Sequence, residues 1–222
     1  MSTITTKVYD WLDERLGINA IYDVTLDRKV PKVNWFFTLG SASAFLFLLQ
    51  GVTGVFLTFY YVPTPDHAYD SIQYIMNGVA FGWLIRGMHH WGASLMVLIV
   101  FFHMLRTFYF GAYKYPRELT WVTGVILLLS TLGMGFTGYL LPWNQRAYWA
   151  TTVATEIAGT VPFVGPFITN LLRGGSDLSA LTLSRFFGVH IWVLPAVIAA
   201  VIGAHIYMVI RLGIAGVPGK ED

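Results

Sequence analysis

Four stretches of this chain contain no Asp, Glu, Lys or Arg: Val33 to Pro65, Gly87 to Leu105, Leu119 to Gln145, and Phe186 to Ile210. A bilayer core is crossed by about 20 mainly apolar residues in a helix, and each stretch reaches or approaches that length. Hydrophobic residues make up 55% of the 222 and charged residues 12%, against roughly 45–50% and about 25% in soluble domains. A soluble globular domain is therefore excluded. The chain reads as an all-α membrane protein with four transmembrane helices, near residues 33–60, 81–110, 119–140 and 184–212.

Other classes fall with the same composition. The absence of cysteine excludes disulfides, iron–sulfur clusters, thiolate metal sites and thioether-linked haem. A net charge of +2 without a basic run leaves no footprint for nucleic acid. The first thirty residues carry five acids and no continuous apolar stretch, so no signal peptide is expected.

Residues 1–32 form an amphipathic surface segment ahead of a 33–222 transmembrane domain. Within it, Val8, Trp11, Leu12 and Leu16 alternate at helical spacing with Asp10, Asp13, Glu14 and Arg15 over residues 7–18. Such a helix suits a membrane surface or a partner subunit equally. Pro31 precedes the first span. Lys and Arg concentrate in the N-terminal segment, around Lys114 and Arg117, and at the C-terminal end; residues 61–80 hold none. Both termini are thereby expected on the negative side. Residues 141–183 are too long for a structureless loop. They read as a cap with short helices near 147–158 and 166–172, broken at Pro162 and Gly174-Gly175.

Histidines mark the site. His89 and His103 lie fourteen residues apart on the second span, and His190 and His205 fifteen apart on the fourth. Each pair returns to within roughly 40–60° of one helix face, with about 21–23 Å between its members along the axis. Two antiparallel helices facing each other are expected to set His89 against His190 and His103 against His205. Bis-imidazole sites suit haem iron and leave no open position for oxygen, whereas zinc lacks the remaining ligands of a tetrahedral site. Intramembrane histidine also serves as interhelical hydrogen-bond glue. For one residue that explanation competes evenly; for four in matched pairs it is the weaker.

Glycines repeat the interval. Gly40 and Gly54 on the first span, and Gly124 and Gly138 on the third, are each fourteen apart, as expected if a porphyrin edge presses against a position without a side chain. Packing glycine is common in membrane helices, but two pairs at the histidine interval favour the site. Arg86, Arg185 and Arg106 flank the histidines at span edges, where they could pair with haem propionates or snorkel to the interface. His90 points about 100° from His89 and is no second ligand. His67 reads as a solvated residue of a polar connection.

The chain resembles the cytochrome b6 type of subunit of quinol-oxidising cytochrome bc complexes over almost its whole length. The resemblance is densest in Tyr74-Ile75-Met76, Phe81-Gly82, Arg86-Gly87-Met88-His89-His90-Trp91-Gly92-Ala93-Ser94, Pro116-Arg117-Glu118-Leu119-Thr120-Trp121, Thr137-Gly138-Tyr139-Leu140-Leu141-Pro142-Trp143 and Arg185-Phe186-Phe187-Gly188-Val189-His190. The His-His-Trp-Gly-Ala-Ser run resembles menaquinol-type bacterial versions in particular.

That resemblance implies two non-covalent b haems, a low-potential one on His89 and His190 near the positive side and a high-potential one on His103 and His205 near the negative side. It implies quinol oxidation under the cap, beside Phe136, Tyr139, Trp149, Ala150 and Val153, with electrons passing to a quinone at the negative side and protons moved across the membrane. It implies partners: a smaller membrane subunit carrying a Pro-Glu-Trp-Tyr motif, a Rieske iron–sulfur protein, a c-type cytochrome, and a homodimeric complex in lipid, most simply a bacterial cytoplasmic membrane or a thylakoid-type one. Thr38 stands where the b6 branch has a haem-linking cysteine, so no covalent haem c is expected. Catalysis is not completed by this chain alone. Two other functions fit the residues: a haem b membrane anchor of a dehydrogenase or hydrogenase, and a haem-free helical scaffold. Anchors usually lack two same-face histidine pairs on two helices, and the scaffold calls for no cofactor.

Overall fold

The computed structural model describes residues 3–25 and 35–216. Pro31, Val33 and Asn34 lie outside them. The chain divides into a first unit ending at Phe37 and a second beginning at Thr38.

In the first unit, α1 (Ile4–Leu16) and α2 (Ile18–Thr25) replace the single helix expected over 7–18. Gly17 separates them, at φ 62°, the left-handed conformation that a glycine after a helix adopts without Cβ strain. Its N–H donates to the Asp13 carbonyl at 2.7 Å. The Asp13 carboxylate accepts from the Asn19 backbone N–H and side-chain amide at 2.6 and 2.7 Å. No residue of α1 is buried; Val8, Trp11 and Leu16 are exposed.

Among the described residues, four helices are long and apolar enough to cross a membrane: Trp35–Thr58, Gly82–Tyr109, Glu118–Leu140 and Ala180–Leu212. The first comprises a 3₁₀ turn (Trp35–Thr38) and α3 (Leu39–Thr58). The second and third are α5 (Gly82–Tyr109) and α6 (Glu118–Leu140). The fourth runs from α9 (Ala180–Gly188) through a π-helical turn (Val189–Val193) into α10 (Leu194–Leu212). Within the second unit, α3 packs chiefly on α5 and α6 on α10, while α5 meets α6. Leu46 of α3 with Met96 and Val100 of α5 form a buried cluster, joined by Leu128 of α6. It lies between the two histidine levels.

α5 and α10 are the second and fourth of four successive crossings, so they run parallel. This overturns the antiparallel course expected from the sequence. Parallel helices bring first histidine to first and second to second, whereas antiparallel ones would have crossed the pairs.

The connection expected to be merely polar holds a further helix, α4 (Ala68–Asn77). It buries Ala68, Ser71, Ile72 and Ile75, the i, i+3, i+4, i+7 face of an amphipathic helix. His67 precedes it, exposed, 3.3 Å from Asp66. At the same end of the bundle, the Tyr61 hydroxyl donates to the Leu141 carbonyl at 2.7 Å, and its ring lies 5.4 Å from Phe187. Burial pushes the Tyr61 hydroxyl pKa up.

The cap consists of α7 (Gln145–Gly159) and α8 (Gly165–Arg173). Asn144 caps α7 by accepting from the Ala147 N–H at 2.9 Å. The cap is tied together by Arg173, 5% exposed. Its guanidinium donates to Thr155 Oγ1 at 2.8 Å, to the Ser176 and Thr152 carbonyls at 2.9 and 3.1 Å, and to Glu156 at 2.8 Å. At the opposite end, Arg117 donates to the Gly213 and Leu212 carbonyls at 3.2 and 3.3 Å, closing the C-terminus of α10 where a cation is favoured.

Candidate functional site

The histidines reach one interhelical space by two routes. Fourteen residues along regular α5 return His103 to within about 40° of His89. Fifteen along a regular α-helix would overshoot by about 100° relative to that phase. The π turn absorbs the difference. Leu194 N–H bonds to the Val189 carbonyl, five residues back, and Pro195 at the head of α10 lacks the N–H that would continue an α-helical ladder. One extra residue is thus taken up after His190, and His205 regains the phase that fourteen residues give on α5.

The structure brings the His89 and His190 rings together edge-on, with centroids 6.3 Å apart and planes at 77°. His103 lies within electrostatic reach of His205 and Arg106. α5 and α10 do not pack closely on each other, so the His89 and His190 side chains, rather than the backbones, meet between them.

Each ring lies on a glycine of the neighbouring span. A Cβ at Gly54 would stand 3.2 Å from His89 Cε1, one at Gly40 3.2 Å from His103 Cε1, one at Gly138 2.7 Å from His190 Cε1, and one at Gly124 3.5 Å from His205 Cε1. The glycines therefore clear room for the imidazoles themselves.

Beside three of these glycines stands a threonine. Thr53, Thr137 and Thr123 place Oγ1 3.0, 3.0 and 2.9 Å from Nδ1 of His89, His190 and His205. Each hydroxyl proton is directed back along its own helix, to the carbonyls of Leu49 and Gly133 at 2.6 and 2.8 Å, and for Thr123 to those of Thr120 and Leu119 at 2.9 and 3.1 Å. The threonine oxygen is thereby placed to accept from Nδ1–H, which the Gln50, Met134 and Thr120 carbonyls also approach; either acceptor leaves the Nε2 lone pair free for a metal. Sequence reasoning missed these threonines, although the Thr-Gly dipeptide recurs at 123–124 and 137–138 with the histidine interval.

Which metal group fits these residues follows from their number and spacing. Among the described residues no cluster of three or more His, Cys, Asp or Glu could hold an ion. A group that brings its own equatorial ligands and needs only two axial ones is what remains. With metal–nitrogen bonds of about 2 Å and roughly 1 Å more from nitrogen to ring centre, opposed imidazoles stand about 6 Å apart. The His89–His190 separation matches. Haem fits.

The remaining candidates are placed as follows. Arg86 Nη1 lies 3.6 Å from Met76 Sδ, and Arg185 Nη1 donates to the Leu171 carbonyl at 2.9 Å. Arg106 is 9% exposed, its guanidinium carbon 5.2 Å from the Phe110 ring. His90 faces outward, its ring 5.5 Å from Trp91. Phe136 packs edge-on against Phe186 at 5.4 Å. Trp149, Ala150 and Val153 share the exposed face of α7, opposite buried Ala147, Thr151 and Thr155, and Tyr139 is also exposed. A cavity of about 450 Å³ in the cap is lined by Glu156, Thr160, Thr169, Asn170 and others, and includes none of the five residues expected at the quinol site.

Four membrane-crossing helices, two of which carry facing imidazoles, define a class: membrane-spanning di-histidine helical bundles. Comparison with known proteins gives the family. Residues 25–213 match the Cytochrome b/b6/petB family. A menaquinol:cytochrome c reductase cytochrome b subunit of Geobacillus thermodenitrificans is 45% identical over 219 residues, covering 95% of this chain and 98% of that one. A cytochrome b6 of Mastigocladus laminosus is 48% identical over 211 residues, with 95% and 98% covered. A solved hyperthermophilic respiratory Complex III superposes with a TM-score of 0.84 at 32% identity; the match covers 96% of this chain and 58% of the other. The chain belongs to the cytochrome b/b6 family. It is a haem-binding electron-transfer subunit of a quinol-oxidising membrane oxidoreductase.

Proposed function

We propose that this subunit holds two non-covalent b haems, one between His89 and His190 and one between His103 and His205, and carries electrons between them across the membrane. The 6.3 Å opposition of His89 and His190 is the observation that carries this reading. Held by these imidazoles, haem would supply one-electron transfer rather than oxygen binding. The chain's own part is to fix the rings. Thr53, Thr123 and Thr137 hold three Nδ1 atoms, and Gly40, Gly54, Gly124 and Gly138 let all four rings approach the neighbouring helix. Arg86, Arg185 and Arg106, each near a span end, neutralise the propionates.

The cap end is the positive side, where quinol is oxidised beside Phe136, Tyr139, Trp149, Ala150 and Val153; the opposite end, with both termini, is the negative side, where a quinone is reduced. Tyr139, Trp149, Ala150 and Val153 are exposed in this chain, which supports a site completed by other subunits. The set comprises a smaller membrane subunit with a Pro-Glu-Trp-Tyr motif, a Rieske iron–sulfur protein and a c-type cytochrome, arranged as a homodimer in a bacterial cytoplasmic membrane. With Thr38 in place of a cysteine, no haem is covalently held. Residues 1–32 act as a surface segment and 33–222 as the haem domain.

A pyridine haemochrome assay against protein concentration tests the core of this. Two extractable b haems per chain are expected, falling to one in His103→Leu. A folded preparation with no haem, or with a haem that resists acid-acetone extraction, would overturn it.

A further inference from the structure

Three of the four histidine sites repeat one local device, and the fourth departs from it. A helix of the neighbouring span presents Thr-Gly: the glycine clears the ring and the threonine oxygen accepts from Nδ1 at 2.9–3.0 Å. His103 lies over Gly40 in the same manner. A Cβ there would be 3.2 Å from Cε1 and 3.6 Å from Nδ1, beside 3.2 and 3.8 Å for Gly54 over His89. The residue before Gly40 is Leu39, whose side chain has no acceptor.

We propose that Leu39 sets a redox asymmetry between the two haem sites: it denies His103 the threonine hydrogen bond that the other three histidines receive, and so raises the potential of the site away from the cap. The inference rests on the two-haem reading above. A hydrogen bond accepted from Nδ1–H makes an imidazole a stronger donor to a metal, and donation to iron stabilises the oxidised state and lowers the potential. Both ligands at the cap end carry that bond, through Thr53 and Thr137; at the other end only His205 does, through Thr123. The difference makes electron flow from the cap end to the opposite end downhill, and position 39 is a positioning residue acting through His103.

The test is redox potentiometry of the purified complex with Leu39→Thr and, in the reverse sense, Thr137→Val. Leu39→Thr should lower the midpoint of the haem on His103 and His205 and leave the other in place. Thr137→Val should raise the midpoint of the cap-end haem alone. Redox-difference infrared spectra should show the imidazole C–N band of one histidine shifting in each variant, which a purely structural disturbance would not produce. Unmoved midpoints with both haems bound, or both haems moving together, would overturn the role of Leu39. Loss of the two-haem spectrum from the unsubstituted complex would overturn the ligand assignment instead.

Discussion

A Cβ at Gly138 would stand 2.7 Å from His190 Cε1, whereas at Gly124 the distance to His205 is 3.5 Å, an ordinary contact. The two glycines look alike in the sequence, yet they should tolerate a methyl group very differently. Gly138→Ala should displace the His190 ring and strip or distort the cap-end haem, while Gly124→Ala keeps both. Haem stoichiometry and the optical bands of the two variants check this. Tyr61 carries a pH dependence of defined sign. Its hydroxyl, raised by burial, stays protonated in the fold while an unfolded tyrosine ionises near 10. Above about pH 10 the unfolded chain loses its proton first, so stability falls as pH rises. Tyr61→Phe should flatten that alkaline decline in thermal melts taken against pH. At this scale the sequence showed the four histidines and the four glycines, because spacing reports helix phase. It did not show what the glycines clear, nor the threonines. A threonine inside a helix usually bonds its own preceding turn, and nothing in its spacing announces a second partner across the interface.

Spans were legible wherever charge was missing, and the cap wherever Pro and Gly broke it. α4 was overlooked because Asp66, His67 and Asp70 made its stretch look like a solvated connection, although Ala68, Ser71, Ile72 and Ile75 already traced a helical face. The parallel course of α5 and α10 needed only a count of crossings. The π turn was less accessible: Pro195 signals a disturbed ladder, but not that one residue is absorbed just after His190. That device can be tested by changing length. Deleting one residue from 191–193 leaves a fourteen-residue interval, which a regular helix accommodates in phase, so both haems should remain. Inserting one alanine after Ile198 turns His205 by about 100°, and the haem at that end should be lost. Retention of both haems after the insertion would refute the phase argument.

Across the whole molecule, the helices fall into two packed pairs, α3 with α5 and α6 with α10, joined mainly through α5 and α6. The helices that carry the histidines are not packed on each other, and the buried cluster of Leu46, Met96 and Val100 lies on the α3–α5 side. In lipid no hydrophobic effect closes such a gap; association rests on packing and hydrogen bonds. A group held between α5 and α10 would add a second contact between the pairs to the one that α5 makes with α6. A ligand that binds only the folded state at a thousand times its dissociation constant stabilises it by about 4 kcal/mol. Protein made in a host starved of haem should keep its far-ultraviolet helix signal, since each span satisfies its own backbone. Its thermal transition should drop and broaden, and added haemin should restore it. Equal melting with and without haem would mean that the two pairs hold each other without help, and that the gap between α5 and α10 is closed by protein.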